Sequence, residues 1–198
     1  GIELSDQKYL LQGWEMIKGN VDKITNLSMD LLNYAKATDL NIQRCDPRQP
    51  AQEVVDLMRP RAQELGIELV SDFSQNLNPC QLDPDLICRC LLNLVTNAID
   101  ACRNNDPDAP VKMVTVRTQK TRGWGVEYQV LDNGCGMNAA TQKNIFKQFF
   151  STKGSEGTGI GLMISKKIID EHNGVIKVES KEGSGSKFCI KLPKKPDG

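Results

Sequence analysis

The sequence contains no long apolar run and no excess of charge of either sign. No stretch approaches the ~20 consecutive apolar residues that a membrane-spanning helix needs, and no signal peptide is visible. Lys plus Arg and Asp plus Glu both number 25, so the net charge at pH 7 is zero. We therefore expect a cytoplasmic chain with no membrane contact of its own and no nucleic-acid partner. A membrane anchor elsewhere in a longer protein is compatible with this expectation.

The cysteines also lack a metal-binding pattern. The seven cysteines include no C-x-x-C pair, which argues against a zinc site. Cys88 and Cys90 are two residues apart and therefore point to different faces of a helix. An odd number of scattered cysteines is typical of a reducing compartment, and we expect most of them to be buried as small apolar side chains.

Two common nucleotide-binding motifs are missing as well. No glycine precedes Lys and Ser or Thr as it does in the phosphate loop G-x-x-x-x-G-K-[ST]. The glycines of residues 157–161 are spaced G-x-G-x-G, and no strand comes directly before them. This spacing argues against a dinucleotide-binding fingerprint.

Three segments that are present predict a nucleotide pocket of another kind: residues 93–100, 132–137 and 157–162. Glycines without side chains let the backbone approach a phosphate, and a helix that starts near Leu162 directs its free N–H groups at the anion. An aspartate that ends a strand can accept a hydrogen bond from an adenine amino group. Amide side chains on a helix can hold the metal that accompanies the phosphates.

The first of these segments lies on a predicted helix that starts at Pro84 and runs to about Arg103. Asn93 and Asn97 are four residues apart and Asp100 is three further on, so all three share one face. A solvent-exposed polar face is the simpler explanation. Because the surrounding positions Leu91, Leu92, Leu94, Val95 and Ile99 are apolar, the polar stripe indicates a function such as binding a hard cation through oxygen atoms.

With these motifs the chain resembles the ATP-binding domain of sensor histidine kinases, in the superfamily shared with DNA gyrase and the Hsp90 chaperones. The N box corresponds to residues 93–100, the G1 box to 132–137 and the G2 box to 157–162, and the F box centres on Phe146, Phe149 and Phe150. The resemblance covers roughly residues 40–193. It implies a Bergerat-type ATP-binding fold, with ATP and Mg²⁺ as cofactors.

The resemblance also implies roles for individual residues. Asn97 binds Mg²⁺ with Asn93 nearby, Asp132 accepts the adenine amino group with support from Ser186, and Lys153 meets the terminal phosphate. The expected catalytic residues are Asn93 and Lys153, and the expected metal ligands are Asn97 and Asn93. The expected nucleotide-binding set is Asn97, Asp100, Asp132, Gly134, Gly136, Phe146, Lys153, Gly157, Thr158, Gly159, Ile160, Gly161, Leu162 and Ser186.

Two parts of this assignment have simpler alternatives. The three phenylalanines either belong to the core or anchor a lid, residues 138–157, that orders on nucleotide binding. Lys153 is either a phosphate ligand or a solvated lysine.

One difference from the hydrolytic members of the superfamily bears on whether the site hydrolyses ATP or transfers its phosphoryl group. Asn93 stands where they carry a glutamate that activates water, and an amide is a poor general base, so the site favours phosphoryl transfer over hydrolysis.

The region before the ATP-binding domain reads as one long helix. Residues 7–38 contain no proline, and apolar residues recur at heptad-like spacing. We expect residues 1–39 to be part of a dimerisation helix and residues 40–198 to form the catalytic domain. The alternative is a helix packed on its own domain. We expect the helix that carries the phosphorylated histidine in the family to lie outside this sequence, and His172, the only histidine, to be structural at a helix end.

The remaining patterns predict an α+β fold: a two-layer sandwich of a mixed, largely antiparallel sheet with helices on one face. We expect a link with a short strand over 41–50, a helix over 51–65 and a strand over 67–73. Hairpins are expected over 111–131 and 175–192.

The expected function is transfer of the γ-phosphoryl group of Mg-ATP to a histidine outside this chain, with homodimerisation through the first helix and a response regulator receiver domain as partner. The alternatives are a serine protein kinase of the same fold, of the anti-sigma-factor type, and a non-catalytic ATP-gated binding module.

Overall fold

The computed structural model of this chain describes residues 9–18, 21, 25, 40–103, 111–153 and 158–194. Residues 9–18 are helical (α1), as are residues 21 and 25, and the rest of the helix expected over 7–38 lies outside the described residues. The α1 side chains of Leu10, Trp14 and Ile17 are more than half exposed, and so is Val21. These residues are therefore not packed on the domain. Within the described part of the chain, no helix is both long enough and apolar enough to cross a membrane.

A five-stranded sheet forms one layer of the domain, with the strand order β2-β4-β5-β7-β6. Its strands are β2 (Glu68–Phe73), β4 (Met113–Gln119), β5 (Val126–Asp132), β6 (Val175–Lys181) and β7 (Gly185–Leu192). Only the β2–β4 pair is parallel, and the other neighbours are antiparallel. A separate two-stranded ribbon pairs β1 (Gln43–Cys45) with β3 (Cys80–Leu82).

The helices that pack on this sheet form the second layer. They are α2 (Arg48–Glu64), α3 (Pro84–Arg103) and α5 (Gly161–Glu171), and a short helix α4 (Ala139–Asn144) lies against β6. α3 is central, because it contacts α2 on one side, α5 on the other and the strands β4, β5 and β7. The architecture confirms the predicted α+β class with a mixed, largely antiparallel sheet.

The sequence of α3 explains both its start and its position. The Asp83 carboxylate accepts the backbone N–H of Leu86 at 3.0 Å and so caps the helix. Pro84 occupies the first turn, where a missing N–H costs nothing. One face of α3 is buried against the sheet and the other helices, through Ile87, Cys90, Leu91, Leu94, Val95, Ala98, Ile99 and Cys102. The opposite face carries the half-buried polar residues.

One local prediction was wrong, and two short elements were missed. The second helix begins at Arg48 and not at Ala51, because Pro50 lies within its first turn, where proline is tolerated. The strand β3 is only three residues long and was missed. The helix α4 was also missed, although Asn138 caps it by accepting the Thr141 N–H at 2.9 Å.

Candidate nucleotide-binding site

Asn93 joins α3 to the start of α5. Its amide nitrogen donates to the Gly161 carbonyl at 3.2 Å and to the Ser165 hydroxyl at 3.4 Å. Ser165 is completely buried and donates back to the Gly161 carbonyl at 3.0 Å. The amide of Asn93 therefore holds the first turn of α5 against α3. Asn93 has this structural contact whether or not it also lies beside a metal, as the resemblance implies.

Asn97 and Asp100 bind the ammonium group of Lys153. The Lys153 Nζ donates to Asn97 Oδ1 at 2.9 Å and to Asp100 Oδ2 at 2.7 Å. The second carboxylate oxygen of Asp100 accepts from Arg61 Nη2 at 3.2 Å. The structure thus brings together three of the predicted site residues, from the N box and from the segment that precedes the G2 box. The Lys153 side chain is 31% exposed, so it is not simply a solvated lysine.

The N-terminus of α5 is suited to an anion. The helix begins at Gly161, its N-cap residue Ile160 makes no side-chain capping bond, and its first turn has no acidic residue. The first N–H groups of a helix have no partner within the helix, so they remain available to a phosphate. Gly159 has φ +67°, and a Cβ there would lie 2.5 Å from the Phe149 backbone. The predicted site residues Thr158, Ile160 and Leu162 flank Gly159 and Gly161 at the start of α5. Gly157 lies outside the described residues.

Asp132 lies at the end of β5, where the strand meets the G1 box. Its Oδ1 accepts the Gly134 backbone N–H at 2.9 Å, and it pairs in register with Ser186 on β7. Burial raises the pKa of the Asp132 carboxyl, while the bonds from Gly134 and from the backbone and hydroxyl of Ser186 oppose that rise. A partly desolvated carboxylate that retains acceptor capacity is a fitting partner for an adenine amino group.

The glycines of the G1 box are required by the packing of the protein itself. A Cβ on Gly134 would lie 2.5 Å from the Ala101 backbone, and one on Gly136, at φ +64°, would lie 2.0 Å from the Lys181 carbonyl oxygen. The Cys135 N–H also donates to the Ala101 carbonyl at 3.2 Å. These contacts seat the loop on the end of α3, one residue beyond Asp100. The packing of the protein thus requires both glycines, whether or not they also make room for the adenine base as expected from the sequence.

Two of the three aromatic residues of the F box pack against the core, and the third is exposed. Phe146 and Phe150 are partly buried and pack against the core, whereas Phe149 is 64% exposed and has φ 59°. Phe146 also lines a cleft of about 750 Å³, together with Met163, Lys166, Lys167 and other residues of that face of α5. None of the other predicted site residues lines this cleft. It opens on a different face of α5 from the one that contacts Asn93.

His172 is buried and fully bonded. It is 1% exposed, its Nε2 accepts the Asp83 backbone N–H at 3.1 Å, and its Nδ1 lies 2.8 Å from the Ile168 carbonyl oxygen. An Nε2 that accepts carries no proton, so Nδ1 is the ring nitrogen that donates. Both ring nitrogens are engaged within the fold, which supports the structural role predicted for this residue.

Several contributing residues were missed by the sequence analysis. Arg61 and Ser165 carry no motif of their own and enter only through helix packing. Ser180 donates to the Gly185 carbonyl and lies 3.0 Å from the Ser186 hydroxyl. Its position opposite Ser186 follows from the register of the β6–β7 hairpin, so a register assignment made from the sequence could have found it.

A contact of α4 shows which part of the predicted lid, residues 138–157, is already held in place. We expect residues 138–157, of which 154–157 lie outside the described residues, to exchange amide hydrogens fast without nucleotide and more slowly with a non-hydrolysable ATP analogue. The gain should be concentrated after α4, because Gln142 already ties α4 to the Ser180 carbonyl at 2.8 Å. Hydrogen exchange measured by mass spectrometry tests this, with β6 as the internal reference. Strong protection of the whole segment in the empty protein would contradict a switching lid.

The sequence of this chain is similar to a known protein family and to individual proteins. Residues 82–196, more than half of the 198, match the family described as "Histidine kinase-, DNA gyrase B-, and HSP90-like ATPase". The chain is 33% identical over 179 residues to the sensor histidine kinase ZraS of Escherichia coli (strain K12), covering 90% of this chain and 37% of that relative. It is 29% identical over 192 residues to the signal transduction histidine-protein kinase AtoS of the same strain, covering 97% and 30%.

Among solved structures, the chain is similar to the catalytic domain of histidine kinase ThkA in a nucleotide-free form. The TM-score is 0.67 and the identity 28%, and the match covers 79% of this chain and 99% of that chain. The chain spans about a third of the length of ZraS and AtoS, 37% and 30% respectively. The similarity to ThkA is that of a whole catalytic domain, whereas ZraS and AtoS are much longer proteins.

Proposed function

Because this chain belongs to the family of histidine kinase-, DNA gyrase B- and HSP90-like ATPases, we propose that it is the catalytic ATP-binding part of a sensor histidine kinase. Residues 40–198 would form the catalytic domain and residues 1–39 part of a dimerisation helix. The observation that carries the proposal is the convergence on α3, which contacts the α5 N-terminus through Asn93, the lid lysine through Asn97 and Asp100, and the G1 box through Ala101.

The described residues fit a divalent cation. The amide oxygen of Asn97 accepts from Lys153 at 2.9 Å and has a second lone pair, and Asp100 offers a carboxylate oxygen on the same face of α3, so this end of the site supports a role in binding a cation. Amide and carboxylate oxygens are the ligands that Mg²⁺ prefers, together with water and phosphate oxygens. We assign Asn97 as the ligand, with Asn93 beside it. When bound, the ion would neutralise phosphate charge during transfer.

The reaction would move the γ-phosphoryl group of ATP to a histidine outside this chain. A lone pair of the imidazole forms the new P–N bond, the bond to the bridging oxygen breaks, ADP leaves with that electron pair, and the second ring nitrogen releases its proton to solvent. Such transfer depends on positioning and on charge neutralisation. Asp132 and Ser186 would hold the adenine, and the α5 N–H groups and Lys153 would hold the phosphates.

The same site disfavours hydrolysis. Asn93 stands where a glutamate would activate water, and its amide nitrogen is committed to Gly161 and Ser165. An amide is a poor general base, so no side chain at this position can take a proton from water.

The phosphate on the histidine would pass to an aspartate of a response regulator. The full-length protein would form a homodimer through α1, and the exposed apolar side chains of α1 support this.

We expect the isolated chain to bind ATP without labelling itself from [γ-³²P]ATP, because both ring nitrogens of His172 are bonded within the fold. When the preceding helix of the full-length protein is added in trans, an acid-labile label should appear on that helix. The conservative variant His172→Gln serves as a control and should support the same transfer if it folds, as judged by circular dichroism.

The form of the label separates the candidate functions. An acid-stable label on serine would indicate the serine-kinase alternative, and ATP binding without transfer to any added segment would indicate a binding module. Self-labelling that disappears in His172→Gln, with the fold intact, would overturn the structural role of His172.

A further inference from the structure

We propose that Asp100 is a positioning residue that acts through Lys153, orienting its ammonium group toward the terminal phosphate of the nucleotide. This inference rests on the proposed function. The N-box motif places Asp100 among the nucleotide-binding residues, but the structure gives its carboxylate two cationic side chains as partners. A carboxylate beside a triphosphate is repulsive when it acts alone, and the cation nearest to the Asp100 carboxylate in this structure is the Lys153 ammonium at 2.7 Å.

The hydrogen bonds of Lys153 define that orientation. An ammonium group has three N–H donors and no acceptor. Asn97 Oδ1 and Asp100 Oδ2 take two of them, at 2.9 and 2.7 Å. The direction of the third donor is then fixed by the first two. A lysine side chain otherwise has much rotational freedom to lose, so two fixed acceptors reduce the entropy lost when the third donor meets an anion.

Asp100 is itself held in place from a third element. Its Oδ1 accepts from Arg61 Nη2 on α2 at 3.2 Å, while its Oδ2 accepts from Lys153. The two carboxylate oxygens therefore have separate partners, which restricts rotation of the carboxylate. Arg61 is 48% exposed and Asp100 only 23%, so Arg61 is the more solvent-exposed partner of the pair. Through Asp100, α2 and α3 together set the position of the lid lysine.

Simple electrostatics and positioning predict opposite signs for the loss of Asp100. If its charge only repels the nucleotide, Asp100→Ala will tighten Mg-ATP binding. If Asp100 positions Lys153, the variant will weaken Mg-ATP binding by about three- to tenfold, the loss expected for a charged hydrogen bond discounted for partial exposure. Asp100→Asn keeps an acceptor oxygen for Lys153 and should lie between Asp100→Ala and the wild type.

A double-mutant cycle with Lys153→Met tests the route, with affinities measured by calorimetry in Mg²⁺. We expect the weakening by Asp100→Ala to vanish or reverse in the Lys153→Met background, because no ammonium is left to position. Asp72→Ala is the matched control. It also removes a carboxylate from an ion pair, with Arg117 on the sheet, and should leave Mg-ATP affinity unchanged.

Adenosine separates positioning from general damage to the fold. It carries no phosphate, so its affinity should be equal in the wild type, Asp100→Ala and Asp100→Asn. A parallel loss of adenosine affinity would show a merely structural role and overturn the proposal. So would tighter Mg-ATP binding in Asp100→Ala, or equal weakening in both Lys153 backgrounds. A wild-type chain that binds no Mg-ATP would instead refute the proposed function.

Discussion

Asn97→Ala is expected to abolish Mg²⁺-dependent ATP binding while the chain remains folded. Asn97 lies on the half-buried polar face of α3, and the apolar residues that hold this helix against the sheet lie on its other face. The substitution therefore removes the proposed Mg²⁺ ligand and one acceptor of Lys153 but leaves the core volume unchanged. Titration calorimetry in Mg²⁺ and in a chelator measures the metal-dependent part of the affinity directly.

The chelator experiment shows whether the loss is specific. Without metal, Asn97→Ala should bind ATP only slightly more weakly than the wild type, because it loses one acceptor of Lys153 while the contacts proposed for Asp132 and Ser186 at the adenine end are unaffected. Thr96→Ala is the matched control, since Thr96 precedes Asn97 on the same helix and is similarly half-buried. It should keep the full Mg²⁺ dependence. Unchanged Mg²⁺-dependent affinity in Asn97→Ala would remove the metal assignment.

The polar face of α3 was predictable from the sequence for a physical reason. The polar residues Asn93, Asn97 and Asp100 are three or four positions apart, with mostly apolar residues between them. A helix places residues at this spacing on one face without help from distant parts of the chain. The structure confirms that all three are half-buried on that face. The capped start at Asp83 and Pro84 was predictable on the same grounds, because capping is local chemistry.

The partners of those residues were not predictable. Arg61 reaches Asp100 from 39 positions away, and Lys153 reaches it from 53. Neither contact leaves a local pattern, because each depends on how separate elements pack. The three-residue strand β3 was missed for the same reason: its pairing partner β1 is distant in sequence and its own pattern is too short to show a period.

The glycines show how a motif can be recognised and its physical cause only partly understood. From the sequence, Gly134 and Gly136 are expected to make room for the base. The structure adds that any side chain there would collide with the backbone of α3 at Ala101 or of β6 at Lys181. We therefore expect substitution of either glycine to disturb the seating of the G1 box itself, beyond any effect on adenine.

Asp132→Asn is expected to weaken ATP binding by roughly tenfold or more, since a mispaired buried polar group costs about 1–3 kcal/mol. One oxygen of the Asp132 side chain already accepts the Gly134 N–H at 2.9 Å. In the variant the remaining amide oxygen keeps that bond, and the NH₂ group takes the other position, where it faces the amino group of the base. Calorimetry with ATP measures the loss. The wild type should also bind GTP poorly, because guanine has a carbonyl at that position, and equal affinity for ATP and GTP would refute this role of Asp132.

The same substitution should not destabilise the empty protein, which separates lost binding from lost folding. Burial raises the pKa of Asp132 in the fold above its ordinary value, so the native state binds this proton more readily than the unfolded chain does. Wild-type stability therefore falls as pH rises through the raised pKa, and the ionised carboxylate is the costly form at neutral pH. A neutral amide removes that cost but replaces one acceptor oxygen by an NH₂ group beside the donors of Ser186, so Asp132→Asn should unfold at nearly the same temperature as the wild type at pH 7 and lack this part of the pH dependence. The pH dependence of ATP affinity should have the opposite sign, because the proposed adenine contact needs the carboxylate; calorimetry should show the affinity weakening on acidification at a higher pH than for an ordinary aspartate. Thermal unfolding of the empty protein across acidic to neutral pH tests the stability of the variant and its pH dependence, and a variant clearly less stable than the wild type at pH 7 would show that Asp132 stabilises the fold as a carboxylate.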